Sequence, residues 1–222
     1  MLYKAPGIYK GSGLYKGASI YNGAGVYNDG GLLIYYVDIG GRTYPAVKIG
    51  SQFWTAENLD WKFTGCIIGS SSMSTTDMLA NYYDNDENTY GLNGNKYGLL
   101  YNYAAAMYIN SNLPDGWRVP STSDVATLKT FIEPEPGKKL KSKYGWFNGG
   151  NGTDKYGFCG VPAGMRQTNF LYINEAAVFW TSTELGTYDA EERGFAYNSN
   201  GIGGAWGTNK GFRFSVRLVK DA

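Results

Sequence analysis

Apolar positions at the start of the chain return every six residues without a slip. Leu2, Ile8, Leu14, Ile20, Val26 and Leu32 hold one phase, and a tyrosine follows each of the first five, at Tyr3, Tyr9, Tyr15, Tyr21 and Tyr27. Six is a multiple of the two-residue strand period, so these aliphatic side chains fall on one side of an extended, repeatedly turning path. Glycines at 7, 11, 13, 17, 23, 25 and 31 mark the bends, where positive φ or close backbone approach is needed. One aliphatic per hexad leaves too little apolar area to offset an ordering entropy of roughly 1–2 kcal/mol per residue. The segment is therefore expected to order only against copies of itself, as a homotrimeric β-stalk over residues 1–34 zipped by Ile8, Leu14, Ile20, Val26 and Leu32. The competing reading, a disordered Gly/Tyr-rich leader, has no need of a fixed phase.

Beyond Leu32 the pattern changes, and residues 35–222 read as one head domain. LLIYYVDIGGRTYPAVKIG predicts a strand, a Gly-Gly hairpin turn and a second strand. Between Tyr97 and Met107, Leu100, Tyr103 and Met107 stand at helical spacing and predict a short buried helix. A second helix is capped by Ser121 or Ser123, carries Val125, Leu128, Phe131 and Ile132 on one apolar face, and stops at Pro134 and Pro136. Short strands separated by Gly, Asn and Asp clusters follow, ending in GFRFSVRLV, where Phe212, Phe214, Val216 and Leu218 share a face. Two helices with a small twisted antiparallel sheet and long loops define an α+β class. Trp180, Phe195, Phe212 and Phe214 are expected in the core.

Composition narrows the function. The 222 residues carry 20 Lys+Arg against 19 Asp+Glu, with no basic run, so neither nucleic acid nor an anionic lipid surface is an expected partner. Histidine is absent, which removes Ser-His-Asp and Cys-His nucleophile pairs and imidazole metal sites. Twenty tyrosines, ten phenylalanines, six tryptophans and 32 glycines describe instead an aromatic, loop-rich surface suited to binding. MLYKAPGIYK has no apolar h-region and the chain has no apolar run of membrane-spanning length, so neither signal-peptide export nor membrane insertion is expected. Cys66 and Cys159 either pair or stand as two buried free thiols, the latter favoured by assembly in a reducing cytosol. Tyr82 to Asn88 gathers three carboxylates and two amides, hard oxygen donors of the calcium type. Its spacing is not that of an EF-hand, so a turn-stabilising surface loop is the expected reading and no metal site is assigned.

Seven ordered blocks, DIGGRTYPAVKIGSQFWTAENL, NKYGLLYNYAAAM, LPDGWRVPSTSDVATL, GKKLKSKYGW, GFCGVPAGMR, FWTSTE and GFRFSVRLVKD, resemble the Fibrobacter succinogenes major paralogous domain from about Val37 to Asp221. The resemblance implies a C-type-lectin-like fold of the formylglycine-generating-enzyme branch, also used by phage receptor-binding tips. It implies no oxidase, because that activity needs a copper-binding cysteine pair in the C-terminal part of the domain and no cysteine follows Cys159. Nor are the EPN, QPD or WND signatures of calcium-dependent sugar-binding lectins present. The fold would place a binding face on the loops between Trp180 and Gly211, with Tyr188, Glu191, Glu192, Tyr197, Asn198, Asn200, Trp206 and Asn209 as candidate ligand contacts.

Stalk and head together suggest a non-enzymatic bacteriophage virion fibre, on the head or the tail of the particle. It would be assembled in the host cytoplasm and attached to other virion proteins through its N-terminus. Its expected partner is a host-surface or mucus glycan or a protein receptor, with no cofactor. A bacterial surface lectin or pilus-tip adhesin, and a purely structural capsid decoration protein, are the alternatives.

Overall fold

A computed structural model describes residues 34–91, 97–204 and 207–222, with backbone alone at 26–27 and 33. Of the stalk positions, Ile8, Leu14, Ile20 and Leu32 lie outside the described residues.

Strand β1 (Val26–Tyr27) belongs to the fifth hexad and pairs antiparallel with β2 (Leu33–Ile39), Val26 opposite Ile34. β2 turns through Gly40 and Gly41 into β3 (Arg42–Ile49), and β4 (Gln52–Thr55) follows. Gly40 has φ +58°, and a Cβ there would meet the Trp61 ring at 2.2 Å, so this corner of the hairpin needs glycine twice over. The last strand, β13 (Val219–Asp221), adds to β4 and completes the order β1-β2-β3-β4-β13. First and last strands of the head thus share one sheet. Alternation buries both faces of it: Val37, Ile39, Tyr44 and Ala46 join one apolar cluster, Val47, Ile49, Trp54 and Val219 another.

Three smaller sheets complete the head. β5 (Ile67–Ile68), β6 (Leu79–Asn81) and β7 (Leu100–Tyr101) form one, β8 (Met165–Arg166) and β9 (Phe170–Leu171) another. The third joins β10 (Ala176–Glu184), β11 (Asp189–Ala196) and β12 (Thr208–Asn209). With the helices this makes an α+β protein. Its centre is Trp180, fully buried, whose indole N–H donates to Tyr101 O at 2.7 Å and whose ring meets Tyr103 and Phe214.

The helices depart from the sequence pattern in three ways. The expected helix over Tyr97–Met107 is shifted: Leu100 lies in β7, and α2 runs over Tyr103–Asn110. Asn102 causes the shift by capping Ala105 N–H with its side chain while donating to Ser74 O and Asp77 O. The second helix is α3 (Thr122–Ile132), and of the two possible caps Ser121 is the one used, in a reciprocal capping box with Asp124. Its Phe131 is 54 % exposed rather than core, lying over Gly50 and beside Tyr156. Two further short helices appear, α1 (Glu87–Tyr90) and α4 (Pro136–Leu140), so Pro136 begins a helix as well as following one.

GFRFSVRLV is not a single strand with one apolar face. Phe214 bridges Tyr101, Ser215 bridges Phe179, and Arg213 bridges Arg166, so the segment threads between three neighbours. Phe214, Val216 and Leu218 are core as expected, while Phe212 is only half-buried. The alternate positions Arg213, Ser215 and Arg217 are equally buried, because both sides of the segment are covered.

Candidate functional site

The β10-β11-β12 sheet carries the residues expected to meet a ligand, and its geometry divides them. Tyr188 sits at the tip of the β10–β11 connection, 66 % exposed, next to Asn209, whose strand pairs with Asp189. The tip is tied to the sheet by the buried Lys210 ammonium, which donates to Gly186 O (2.6 Å) and Thr187 O (3.1 Å) and pairs with Glu184. Tyr197, Asn198 and Asn200 lie past the other end of β11. There the Lys141 ammonium donates to Ala196 O and Ser199 O, both at 3.0 Å, and Asn200 donates to Glu135 Oε1 at 2.7 Å. An eight-residue strand separates the two groups by roughly 25 Å at 3.3 Å per residue, so they do not form one face.

Glu191, expected among the ligand contacts, is held within the fold. It is only 6 % exposed and accepts from Thr122 Oγ1 and from Arg193 Nη2 at 2.8 Å, which uses it to tie β11 to the start of α3. Its neighbour Glu192 points to the opposite side of the strand and is half-buried. Trp206 lies outside the described residues.

A different place has the shape of a binding site. A cleft of about 360 Å³ opens between the first sheet and the segment 144–161, at the lower end of the size of small-molecule sites. Ile34, Pro45, Val47 and Ala56, from β2, β3 and the end of β4, make an apolar wall. Glu57, Tyr144, Asp154, Cys159 and Arg217 bring the polar groups. Arg217 is the floor: Nε donates to Asn58 Oδ1 (2.6 Å), Nη1 to Thr55 O (2.7 Å) and Phe158 O (2.6 Å), and Nη2 to Cys159 O (2.8 Å). The Cys159 N–H donates to Asp154 Oδ1 at 2.7 Å, and both residues hold left-handed φ, +51° and +44°, where non-glycine residues are uncommon. Glu57 pairs with Arg42 at 3.2 Å on the rim.

Burial shifts the titratable groups of the cleft. Burial pushes the Asp154 carboxyl up, against the opposing pull of the Cys159 N–H, Arg217 and Lys143. Tyr144 O–H and Cys159 Sγ lie 3.5 Å apart, and burial, then the thiol itself, raise the phenol above its usual range. A phenol so held is a poor base for the thiol, and the chain has no histidine to replace it. What remains is a set of carboxylate acceptors beside an apolar wall and a phenol ring, which can accept from hydroxyl donors while packing a C–H face.

The other candidate chemistry is occupied. In the acidic loop, Asp86 caps Thr89 N–H, Glu87 pairs with Lys62 at 2.6 Å and accepts from Tyr82, and Asn85 accepts from Asn81. No disulfide joins Cys66 to Cys159; the Cys66 thiol sits against the main core, where burial pushes it up to about 11. Among the described residues no group of three His, Cys, Asp or Glu side chains could hold a metal, and no helix is long and apolar enough to cross a membrane.

Sequence reasoning named Cys159 only as a thiol and did not single out Glu57, Tyr144, Asp154 or Arg217. Their one local signal is an arginine inside an apolar alternating run, Arg217 in SVRLV; the rest converge only through the fold. In comparison with known proteins, the family model for the Fibrobacter succinogenes major domain matches residues 47–220. Neither the curated proteins nor the solved structures contain a match.

Proposed function

The chain belongs to the Fibrobacter succinogenes major domain family, and from that premise we propose that residues 35–222 form a non-catalytic recognition head of C-type-lectin-like fold. In this reading the hexads trimerise into a β-stalk that carries three heads on a bacteriophage virion. The ligand is a glycan of the host surface or of mucus. The observation that carries the recognition reading is the cleft of about 360 Å³ with an apolar wall, the Tyr144 ring and the Glu57 and Asp154 carboxylates. Carboxylates beside a ring and an apolar wall match a sugar, which offers hydroxyl donors on its edge and C–H groups on its face. The hexad phase supports the stalk, and Val26 pairing with Ile34 brings the repeat directly to the cleft's rim. Three heads on one shaft raise avidity for a dense array, where single contacts of millimolar strength suffice.

A glycan array probed with the full chain tests this, with sedimentation to read the oligomer. Binding that disappears in Tyr144→Ala and in Asp154→Asn, and survives in Tyr188→Ala, places the ligand in the cleft. Loss in Tyr188→Ala alone moves it to the hairpin tip. A chain that binds no glycan, or that sediments as a monomer, sinks the fibre reading.

A further inference from the structure

Arg166 and Arg213 face each other as a hydrogen-bonded antiparallel pair. Each backbone N–H donates to the other's carbonyl, at 3.0 and 2.8 Å, so both side chains leave on the same side from neighbouring Cα atoms. Both then reach the same serine-rich loop, Arg166 Nη1 to Ser70 O at 2.8 Å and Arg213 Nη2 to Ser72 O at 2.5 Å. The serine hydroxyls of that loop are spent on its own backbone: Ser70 Oγ accepts from Ser72 N–H and Ser72 Oγ from Ser74 N–H. Two guanidinium ions are therefore buried against one loop, Arg166 5 % exposed and Arg213 0 %.

Their charge is not answered. Neither arginine has a carboxylate within ion-pair distance among the described residues; the Phe170 ring lies 5.2 Å from the Arg166 guanidinium. Arg166 Nε, Arg213 Nε and Arg213 Nη1 are out of contact with solvent and have no acceptor. Buried N–H groups without a partner mark a place where a water or an ion is held. A water would satisfy the donors and leave two like charges buried together, whereas an anion does both jobs. The other buried cations differ in this respect: Arg217 and Lys141 have their nitrogens on protein oxygens, and Lys210 has Glu184.

We infer that Arg166 and Arg213 together bind a small monatomic anion of the chloride class, enclosed beneath the Ser70–Ser74 loop, as a fixed part of the folded head. The enclosure of the nitrogens selects a halide over a phosphate or sulfate, which would need the loop lifted. Bound in the folded state only, the ion stabilises the head in proportion to its concentration over its dissociation constant.

The test uses the full chain. Thermal unfolding is followed while sodium chloride or bromide replaces sodium gluconate at constant ionic strength, beside matched sulfate and phosphate series. Crystals grown in bromide are examined for an anomalous peak. The expected result is a saturable rise in Tm with either halide, and a bromide peak within hydrogen-bonding distance of Arg213 Nη1 and Arg166 Nε. Arg213→Met should fold with a Tm indifferent to halide. If that variant does not fold, the bromide map of the wild-type chain decides alone. A Tm independent of halide, a non-anomalous water at the position, or stabilisation by sulfate or phosphate only would each overturn the assignment.

Discussion

Arg217→Met is the sharpest test of how this fold is held together. The guanidinium is fully buried, stacks over Phe158 at 4.6 Å and Phe179 at 5.7 Å, and makes four hydrogen bonds without a carboxylate in ion-pair range. Two effects oppose each other. Burial lowers the pKa of Arg217, meaning that the charge itself is disfavoured in the fold, and methionine would remove that cost. Against this, methionine strands Asn58 Oδ1 and the carbonyls of Thr55, Phe158 and Cys159, each worth about 1–3 kcal/mol when a buried acceptor loses its donor. Four stranded neutral acceptors outweigh one relieved charge, leaving a net cost of about 3–5 kcal/mol. At about 2–4 °C per kcal/mol for a head of this size, the melting temperature should fall by roughly 6–20 °C. Calorimetry reads the shift, and urea unfolding checks that the m-value is unchanged, so that stability and not the denatured state has moved. Arg217→Lys should recover little of the loss, since an ammonium keeps the charge but cannot reach four acceptors in one plane. A methionine variant melting within about 2 °C of the parent would refute the reasoning. It would mean that the desolvation cost cancels the hydrogen bonds.

Lys141→Met removes the ammonium that donates to Ala196 O and Ser199 O, and should cost about 2 kcal/mol and speed amide exchange around residues 196–200; unchanged exchange there would contradict it. Asp154 is pushed up from 3.8 by burial, so above that value the folded state binds the extra proton, and stability falls as pH rises through the window up to the raised folded value. Asp154→Asn should flatten that part of the stability–pH curve and leave the head no less stable at neutral pH; a loss above about 1 kcal/mol there would show that the ionised carboxylate is needed. Glu191→Ala takes the acceptor from Arg193 Nη2 and Thr122 Oγ1 and should destabilise by about 2–4 kcal/mol, measured by chemical unfolding. If instead that variant unfolds like the parent and only ligand binding is lost, Glu191 is a contact residue after all.

What was legible in the chain divides along the range of the interactions. Gly40-Gly41 and the Ser121 cap are local devices, and both act where the sequence puts them, because their chemistry closes within four residues. The start of α2 departs from the sequence pattern for the complementary reason. Leu100 has helical spacing to Tyr103, but Asn102 is tied to Ser74 and Asp77 some 25 residues away, and that long-range anchor fixes the cap. Phe131 looked like core because periodicity assigns a face without saying how wide the covering surface is. The alternation of GFRFSVRLV assigns one apolar face and is silent on the other, yet the segment is covered on both sides, and Arg213 and Arg217 are buried with it. The cleft follows from this. Its wall is set by β2, β3 and the end of β4, and its floor by an arginine more than 150 residues further along the chain. Cys159 and Asp154 are drawn into it by one N–H bond and by the Arg217 fork on Cys159 O. In the proposed reading, a site whose floor is one buried guanidinium couples recognition to stability. Substitutions that loosen Arg217 should therefore weaken ligand binding even where no ligand atom touches it.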